Sequence, residues 1–162
     1  MSNPKLIRDQ LAGKKVLILG MARSGQAAAR LILYLGGCVF LYDRKPLSEL
    51  NITQELLTHS MVKSAFGYEK LPDDAFDFAI YSPGIPYDAP VLHAVRKKNI
   101  PVIGELEFAS MYIPCFYAAV SGTNGKTTTV SLLGHILKSG GFHAEVAGNV
   151  GFPLSDAVFS LS

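Results

Sequence analysis

Residues 15–25 read Lys-Val-Leu-Ile-Leu-Gly-Met-Ala-Arg-Ser-Gly, and this stretch decides the fold. Its first part is a short apolar run with β-branched residues, which is typical of a strand buried on both faces of a parallel sheet. From 24 to 35, apolar and small residues recur at three- and four-residue spacing, which predicts a helix that ends at Gly36 and Gly37. Residues 38–43, Cys-Val-Phe-Leu-Tyr-Asp, repeat the strand pattern. The sequence therefore predicts a strand, a crossover helix and a second, parallel strand.

The same alternation continues along the chain. We expect, in order, a helix over 48–59 capped by Ser48, strands over 62–65 and 77–82, a helix over 88–98, and a strand over 100–103. A short helix over 104–112 would join two domains and be followed by a strand over 115–120, a helix over 125–140 and a strand over 144–147. This alternation predicts an α/β fold. We place a Rossmann-like parallel-sheet domain at 1–104 and the truncated beginning of a P-loop ATPase domain at 105–162.

Composition narrows the functional classes. Lys and Arg number 15 against 13 Asp and Glu, a net charge of +2, so the basic surplus of a nucleic-acid-binding domain is missing. The longest apolar run, 31–42, is shorter than the roughly 18 residues that span a membrane, and residues 1–15 lack the apolar segment of a signal peptide. We therefore expect a cytoplasmic protein with no membrane partner. Cys38 and Cys115 lack metal-ligand spacing and are expected to be buried free thiols.

A glycine-rich stretch lies between the predicted strand at 115–120 and the predicted helix at 125–140. Residues 121–128 read Ser-Gly-Thr-Asn-Gly-Lys-Thr-Thr. In such a loop successive N–H groups turn toward phosphate oxygens, and the helix N-terminus adds partial positive charge. Val120 stands where a full Walker A motif has its first glycine, so the pattern is the shorter G-x-x-G-K-T. We expect a phosphate-binding loop; a Gly-Lys turn without a ligand is the alternative.

Within this loop, Lys126 is the predicted catalytic residue, because its ammonium would lie on the β- and γ-phosphates of ATP. The hydroxyl of Thr127 is the predicted Mg²⁺ ligand. The expected ATP-binding residues are Gly122, Thr123, Asn124, Gly125, Lys126, Thr127 and Thr128.

The turn after the first strand is a candidate for a second nucleotide site. Residues 20–25, GMARSG, follow the pattern G-x-G-x-x-G with Ala22 in place of the second glycine. Gly20 permits a tight turn, and Gly25 lets the helix approach the strand. Asp43 ends the next strand, where an acidic residue often meets a ribose. From these residues alone the site fits NAD, FAD or a uridine nucleotide, and a close-packed turn without a ligand is the alternative.

Several segments together resemble the Mur ligase family, and within it the branch that adds D-glutamate. The string GTNGKTT after Ser121 is similar to the ATP loop of that family, and residues 147–153, Ala-Gly-Asn-Val-Gly-Phe-Pro, look like its GN-[IV]-G element. In the first half, the resemblance rests on GMARSG, Asp43-Arg44-Lys45, Ser82-Pro83-Gly84-Ile85 and Gly104-Glu105-Leu106-Glu107. It covers residues 13–156.

The resemblance implies an ATP- and Mg²⁺-dependent ligase of peptidoglycan synthesis. Such an enzyme adds D-glutamate to UDP-N-acetylmuramoyl-L-alanine through an acyl phosphate. By position, the UDP-sugar would be bound by Gly20, Arg23, Ser24, Asp43, Arg44, Gly84 and Asn149. Arg23 and Ser24 would contact the pyrophosphate or uridine, the next three would surround the uracil and ribose, and Asn149 would reach the sugar or lactyl region.

The acidic residues after Thr127 do not complete a catalytic site. They are Glu145 and Asp156, and neither ends an apolar strand as a second magnesium ligand should. We therefore expect the 162-residue chain to lack ligase turnover by itself. The alternatives are another amino-acid-adding Mur ligase, a ligase like folylpolyglutamate synthase, a dehydrogenase built on GMARSG, and a stand-alone nucleotide-binding module; oligomeric state is left open.

Overall fold

The computed structural model describes residues 9–149 and 152–161. Its centre is a sheet of five parallel strands in the order β3-β2-β1-β4-β5. The strands are β1 (Lys15–Leu19), β2 (Cys38–Asp43), β3 (Val62–Phe66), β4 (Phe78–Tyr81) and β5 (Val102–Gly104). The chain builds outward from β1 to β3 and then returns to the other side of β1 with β4. This is the Rossmann-like order, and the crevice between the β1 and β4 connections is its topological switch point.

Six α-helices are described, and they connect or flank these strands. They are α1 (Arg23–Tyr34), α2 (Gln54–Thr58), α3 (Pro90–Lys97), α4 (Glu105–Ser110), α5 (Lys126–Ser139) and α6 (Leu154–Leu161), with a 3₁₀ turn at Leu47–Glu49. The predicted β1-α1-β2 unit is confirmed, as are the later strands and helices of the first domain to within a few residues, except the helix predicted over 48–59. No helix in the described part of the chain is long and apolar enough to cross a membrane.

The sheet separates two apolar cores because successive strand residues face opposite sides. Val16, Ile18 and Ile80 pack on the side covered by α1, α4 and α6. Leu17 and Leu19 pack on the side covered by α3. Burial on both faces explains why β1 is apolar at every position from 16 to 19.

The predicted helix over 48–59 is wrong for its first half. Residues 50–53 remain extended before α2, because the buried side chain of Gln26 holds their backbone. Gln26 Nε2 donates to the carbonyls of Asn51 at 2.8 Å and Met21 at 3.0 Å, and the Thr53 N–H donates to Gln26 Oε1 at 3.4 Å. These bonds use backbone groups that a helix would need internally.

The predicted strands at 115–120 and 144–147 do not form, so the start of a P-loop domain is not shown. Residues 115–119 are exposed, and the second segment contributes a single bridge between Ala147 and Phe152. A strand requires a partner for its N–H and C=O groups, and the described residues give 115–120 none. Cys115 is consequently exposed, which corrects the expectation of a buried thiol, while Cys38 is half-buried.

Helix α6 was not predicted, although Leu154, Ala157, Val158 and Leu161 have helical spacing. It packs against α1 and α4. Both ends of the segment assigned to a second domain therefore contact the first domain.

Candidate functional site

The turn between β1 and α1 brings a helix N-terminus to the carboxyl edge of the sheet. A methyl group on Gly25 would lie 1.9 Å from the carbonyl oxygen of Gly20, a distance that no side chain could tolerate. Gly20 itself has a φ of +87°, which favours glycine. The two glycines therefore have the roles predicted for them: one permits the turn, and the other permits the close approach of helix and strand.

The first turn of α1 is suited to an anion. It contains no acidic residue, and its N-cap residue, Ala22, makes no side-chain cap hydrogen bond. The helix dipole adds partial positive charge to the N–H groups of this turn. Arg23 is exposed and Ser24 is half-buried in this turn, so both lie where a phosphate would be held.

The carboxylate of Asp43 accepts hydrogen bonds from the backbone around the turn. Its Oδ2 accepts a hydrogen bond from the Met21 N–H at 2.7 Å, and its Oδ1 accepts one from the Lys45 N–H at 3.0 Å. Ser82 ties the next strand to the same turn, because its hydroxyl donates to the carbonyl of Gly20 at 2.9 Å. The ends of β1, β2 and β4 are thus fixed to one another by side chains.

A cavity of about 230 Å³ opens at this edge. Four of the seven predicted substrate residues line it: Gly20, Asp43, Arg44 and Gly84. Arg23 and Ser24 lie in the adjoining helix turn, whereas Asn149 is not among the lining residues. The cavity coincides with the switch-point crevice, where ligands bind in open parallel sheets. A smaller cavity, about 130 Å³, lies beside Lys15, Cys38 and Met61 and includes no predicted site residue.

Several lining residues were not predicted as site residues. They form an apolar wall and floor: Leu19, Tyr42, Ile85, Pro86, Ala89, Pro90 and Val91. Burial raises the pKa of Tyr42, although the nearby Arg44 opposes the shift. Its neutral hydroxyl donates to the Tyr68 carbonyl at 2.6 Å. The sequence signal for this wall was Ile85, which belongs to the segment Ser82-Pro83-Gly84-Ile85 after β4.

Arg44 is the cationic residue among those that line the cavity. Its side chain is 65% exposed, and its guanidinium lies 4.0 Å from the carboxylate of Glu69. A pair with such exposed partners is weak. Arg44 can therefore turn toward a ligand without losing a strong contact.

The second predicted site, the loop over 121–128, leads directly into helix α5. Gly122 and Gly125 have φ of +144° and +76°, and Gly125 is the N-cap of α5. The ammonium of Lys126 donates to the carbonyls of Gly122 and Thr123. Asn124, Thr127 and Thr128 are exposed around it. The loop thus lies at a helix N-terminus with its lysine beside it, as predicted.

The predicted metal site at Thr127 has few candidate ligands among the described residues. No group of three or more His, Cys, Asp or Glu side chains is arranged to hold a metal within 9–149 and 152–161. Glu145 lies 3.9 Å from Lys138, and Asp156 forms a bidentate pair with Arg30. Both acids after Thr127 therefore have basic partners. Val150 and Gly151, part of the GN-[IV]-G element, lie outside the described residues.

Comparison with solved structures gives partial likenesses. A UDP-N-acetylmuramate–alanine ligase of Thermotoga maritima is 23% identical, with a TM-score of 0.48 over 77% of this chain and 29% of the other. A short-chain dehydrogenase/reductase of Veillonella parvula is 24% identical, with a TM-score of 0.46 over 56% of this chain and 46% of the other. No protein-family model matches the chain.

Comparison with curated proteins gives matches that cover more of the chain at higher sequence identity. UDP-N-acetylmuramoylalanine–D-glutamate ligases are 42% identical over 147 residues in Streptococcus agalactiae, 43% over 145 in Streptococcus mutans and 37% over 155 in Streptococcus pneumoniae. These alignments cover 90%, 88% and 95% of this chain. The chain spans about a third of the length of these relatives, at 32%, 32% and 34%. Over about nine-tenths of its length, this chain is therefore homologous to the UDP-N-acetylmuramoylalanine–D-glutamate ligases.

Proposed function

We propose that this chain binds the UDP-sugar substrate, and carries the ATP loop, of a ligase that adds D-glutamate to UDP-N-acetylmuramoyl-L-alanine in peptidoglycan synthesis. The proposal rests on how much of the chain the homology covers. An alignment over 90% of the chain must include both the turn over 20–25 and the loop over 122–128. A dehydrogenase would explain the first of these elements but not the second.

The UDP moiety belongs in the switch-point cavity. The pyrophosphate would lie on the first turn of α1, near Arg23 and Ser24, because the N-terminus of a helix and its dipole favour an anion and this turn contains no acidic residue. The uracil and ribose would lie against Gly84 and the apolar wall, with Arg44 at the mouth. Asp43 would shape this pocket through the two backbone N–H groups that it holds.

The ATP phosphates belong on the loop before α5. Lys126 and the backbone amides over 122–127 would neutralise phosphate charge, and the Thr127 hydroxyl would contribute one ligand to Mg²⁺. The positive φ of Gly122 and Gly125 fits this use, because a phosphate loop needs glycine at such positions. The bound metal would supply further neutralisation of the charge on the phosphates.

In the proposed reaction, the carboxylate of the L-alanine residue attacks the γ-phosphorus of ATP and forms an acyl phosphate, with ADP as the leaving group. The amine of D-glutamate then attacks the acyl carbon, loses a proton and expels inorganic phosphate. Positioning and charge neutralisation provide most of the catalysis in phosphoryl transfer. We expect the 162-residue chain by itself to bind UDP without turnover, because the two acids that follow the loop, Glu145 and Asp156, are paired with Lys138 and Arg30.

Calorimetry of the 162-residue chain tests this proposal. UDP and UDP-N-acetylmuramoyl-L-alanine are expected to bind more tightly than NAD, and a preference for NAD would overturn the assignment of the first site. Arg44→Ala is expected to weaken UDP binding about fivefold, as for the loss of one exposed charge contact. Lys45→Ala is the matched control, because it removes the same charge one residue away and leaves the Lys45 N–H bond to Asp43 intact. Equal effects of the two substitutions would contradict a specific role for Arg44.

A further inference from the structure

Helix α6 packs against the first domain through polar and aromatic contacts. Arg30 on α1 donates from its Nη2 to both carboxylate oxygens of Asp156, at 2.7 and 3.0 Å. The rings of Tyr34 and Phe159 meet edge to face, with centroids 5.1 Å apart. These contacts hold one side of α6 against the helix whose N-terminus borders the cavity.

Glu105 holds the N-terminus of α6. Its side chain is almost completely buried, and its Oε1 accepts hydrogen bonds from the Ser155 N–H at 2.8 Å and the Ser155 hydroxyl at 2.7 Å. A buried carboxylate is costly unless it is satisfied, and the positive end of a helix is a favourable place for it. Glu107, two residues away on the same short helix, is exposed. The two acids of this helix therefore have different surroundings.

The turn that carries Asn149 lies between these two helices. The Gly148 N–H donates to the carbonyl of Phe152 at 2.8 Å, which closes the turn just before α6 begins. A methyl group on Gly148 would lie 3.8 Å from the Cδ1 atom of Leu106, so Gly148 is close to α4. Ser155, which Glu105 holds, follows Phe152 by three residues, and Gly148 lies near Leu106.

From these contacts we infer that Glu105 is a positioning residue: it fixes α6 on the first domain and so sets where Asn149 stands relative to the UDP cavity. Glu105 does not touch the ligand. Its role rests on the proposed function only in assigning Asn149 to the sugar side of the substrate. The docking of α6 and its turn can be measured without any ligand.

Hydrogen exchange on the 162-residue chain tests the docking. In Glu105→Ala, amide exchange over 154–161 and at Gly148 is expected to become about five- to tenfold faster, as for the loss of a helix-capping acceptor. Glu105→Gln is expected to restore most of the protection, because its amide oxygen can still accept both bonds. Glu107→Ala is the matched control for removing a carboxylate from α4, and should leave exchange unchanged.

Ser155→Ala keeps the test valid if Glu105→Ala fails to fold. It removes only the hydroxyl donor, so a smaller acceleration is expected in the same amides. Unchanged exchange over 154–161 in Ser155→Ala, or in a Glu105→Ala variant that folds, would overturn the inference, because the bonds between Glu105 and Ser155 would then not hold α6 in place.

A comparison of a short ligand with a longer one distinguishes a positioning role of Glu105 from a general effect on stability. In Glu105→Ala, the affinity for UDP is expected to stay within about twofold of wild type, whereas UDP-N-acetylmuramoyl-L-alanine should lose about fivefold as Asn149 is released. Equal losses for both ligands, or none for the longer one, would overturn the positioning role. If the wild-type chain binds neither ligand, the proposed function fails, and the exchange at Gly148 alone decides whether Glu105 fixes the turn.

Discussion

Replacing Gly25 by alanine tests the central contact of the first site. The added methyl group would lie 1.9 Å from the Gly20 carbonyl oxygen and 2.9 Å from the Ser82 hydroxyl. Because the first of these atoms belongs to the backbone, α1 would have to retreat by roughly 1 Å before the contact became tolerable. Ala28 and Leu31, which are fully buried on the same helix, would lose packing as it moved.

The expected change in the free energy of unfolding of Gly25→Ala is the sum of two opposing effects. Overpacking of this kind costs about 3 kcal/mol, the upper part of the usual range, because no flexible side chain can absorb it. Alanine gains about 1 kcal/mol over glycine within a helix. We therefore expect the free energy of unfolding to fall by about 2 kcal/mol. Because the retreat also displaces the first-turn amides, the affinity for UDP should fall about tenfold, or 1.4 kcal/mol.

Urea denaturation and calorimetry with UDP measure the two effects of Gly25→Ala. Gly84→Ala is a control for stability alone, because nothing lies within 4 Å of a methyl group at that position. Its free energy of unfolding should stay within about 0.5 kcal/mol of wild type. If Gly25→Ala unfolded at the same urea concentration and bound UDP as tightly as wild type, the helix approach would not be what shapes this site.

Three further outcomes are expected. Arg30→Ala should lower the free energy of unfolding by about 1 kcal/mol by removing the half-exposed bidentate pair, and urea curves that match wild type would contradict this. Lys126→Ala should leave the free energy of unfolding within about 0.5 kcal/mol, since its side chain is exposed, yet weaken ATP binding at least about tenfold in calorimetry. The pKa of Asp77 lies below its ordinary value of 3.8, chiefly because the Lys14 side chain and then the Lys15 N–H donate to its carboxylate. A lowered pKa stabilises the fold above pH 3.8 and loses that effect as the pH falls through the folded-state value, so the stability difference between wild type and Asp77→Asn should shrink between about pH 5 and pH 3.

Local pattern was enough to predict the first half of the sheet. The apolar run at 15–19, the turn over 20–25 and the strand at 38–43 occur where they were expected, because each is decided by period, by glycine or by burial on both faces. The glycine loop before α5 and the start of that helix were likewise predictable, since a helix N-terminus after glycines is a local feature.

Contacts between residues distant in sequence decided the elements that local pattern predicted wrongly. Gln26 prevents a helix at 50–53 by bonding backbone groups about 25 residues away, which no window around Ser48 could reveal. The segment at 115–120 has the composition of a strand, but pairing requires a neighbour that composition does not supply.

Sequence by itself determined the α/β alternation, the two glycine turns and the resemblance that the comparisons then bore out, because these depend on neighbouring residues. Only the tertiary structure decided that Asp43 holds backbone N–H groups, that four of the predicted substrate residues share one cavity, and that Glu105 caps a helix 50 residues further on. The physical reason is that a hydrogen bond depends on distance in space, and only the packed sheet and helices bring these groups within reach of one another.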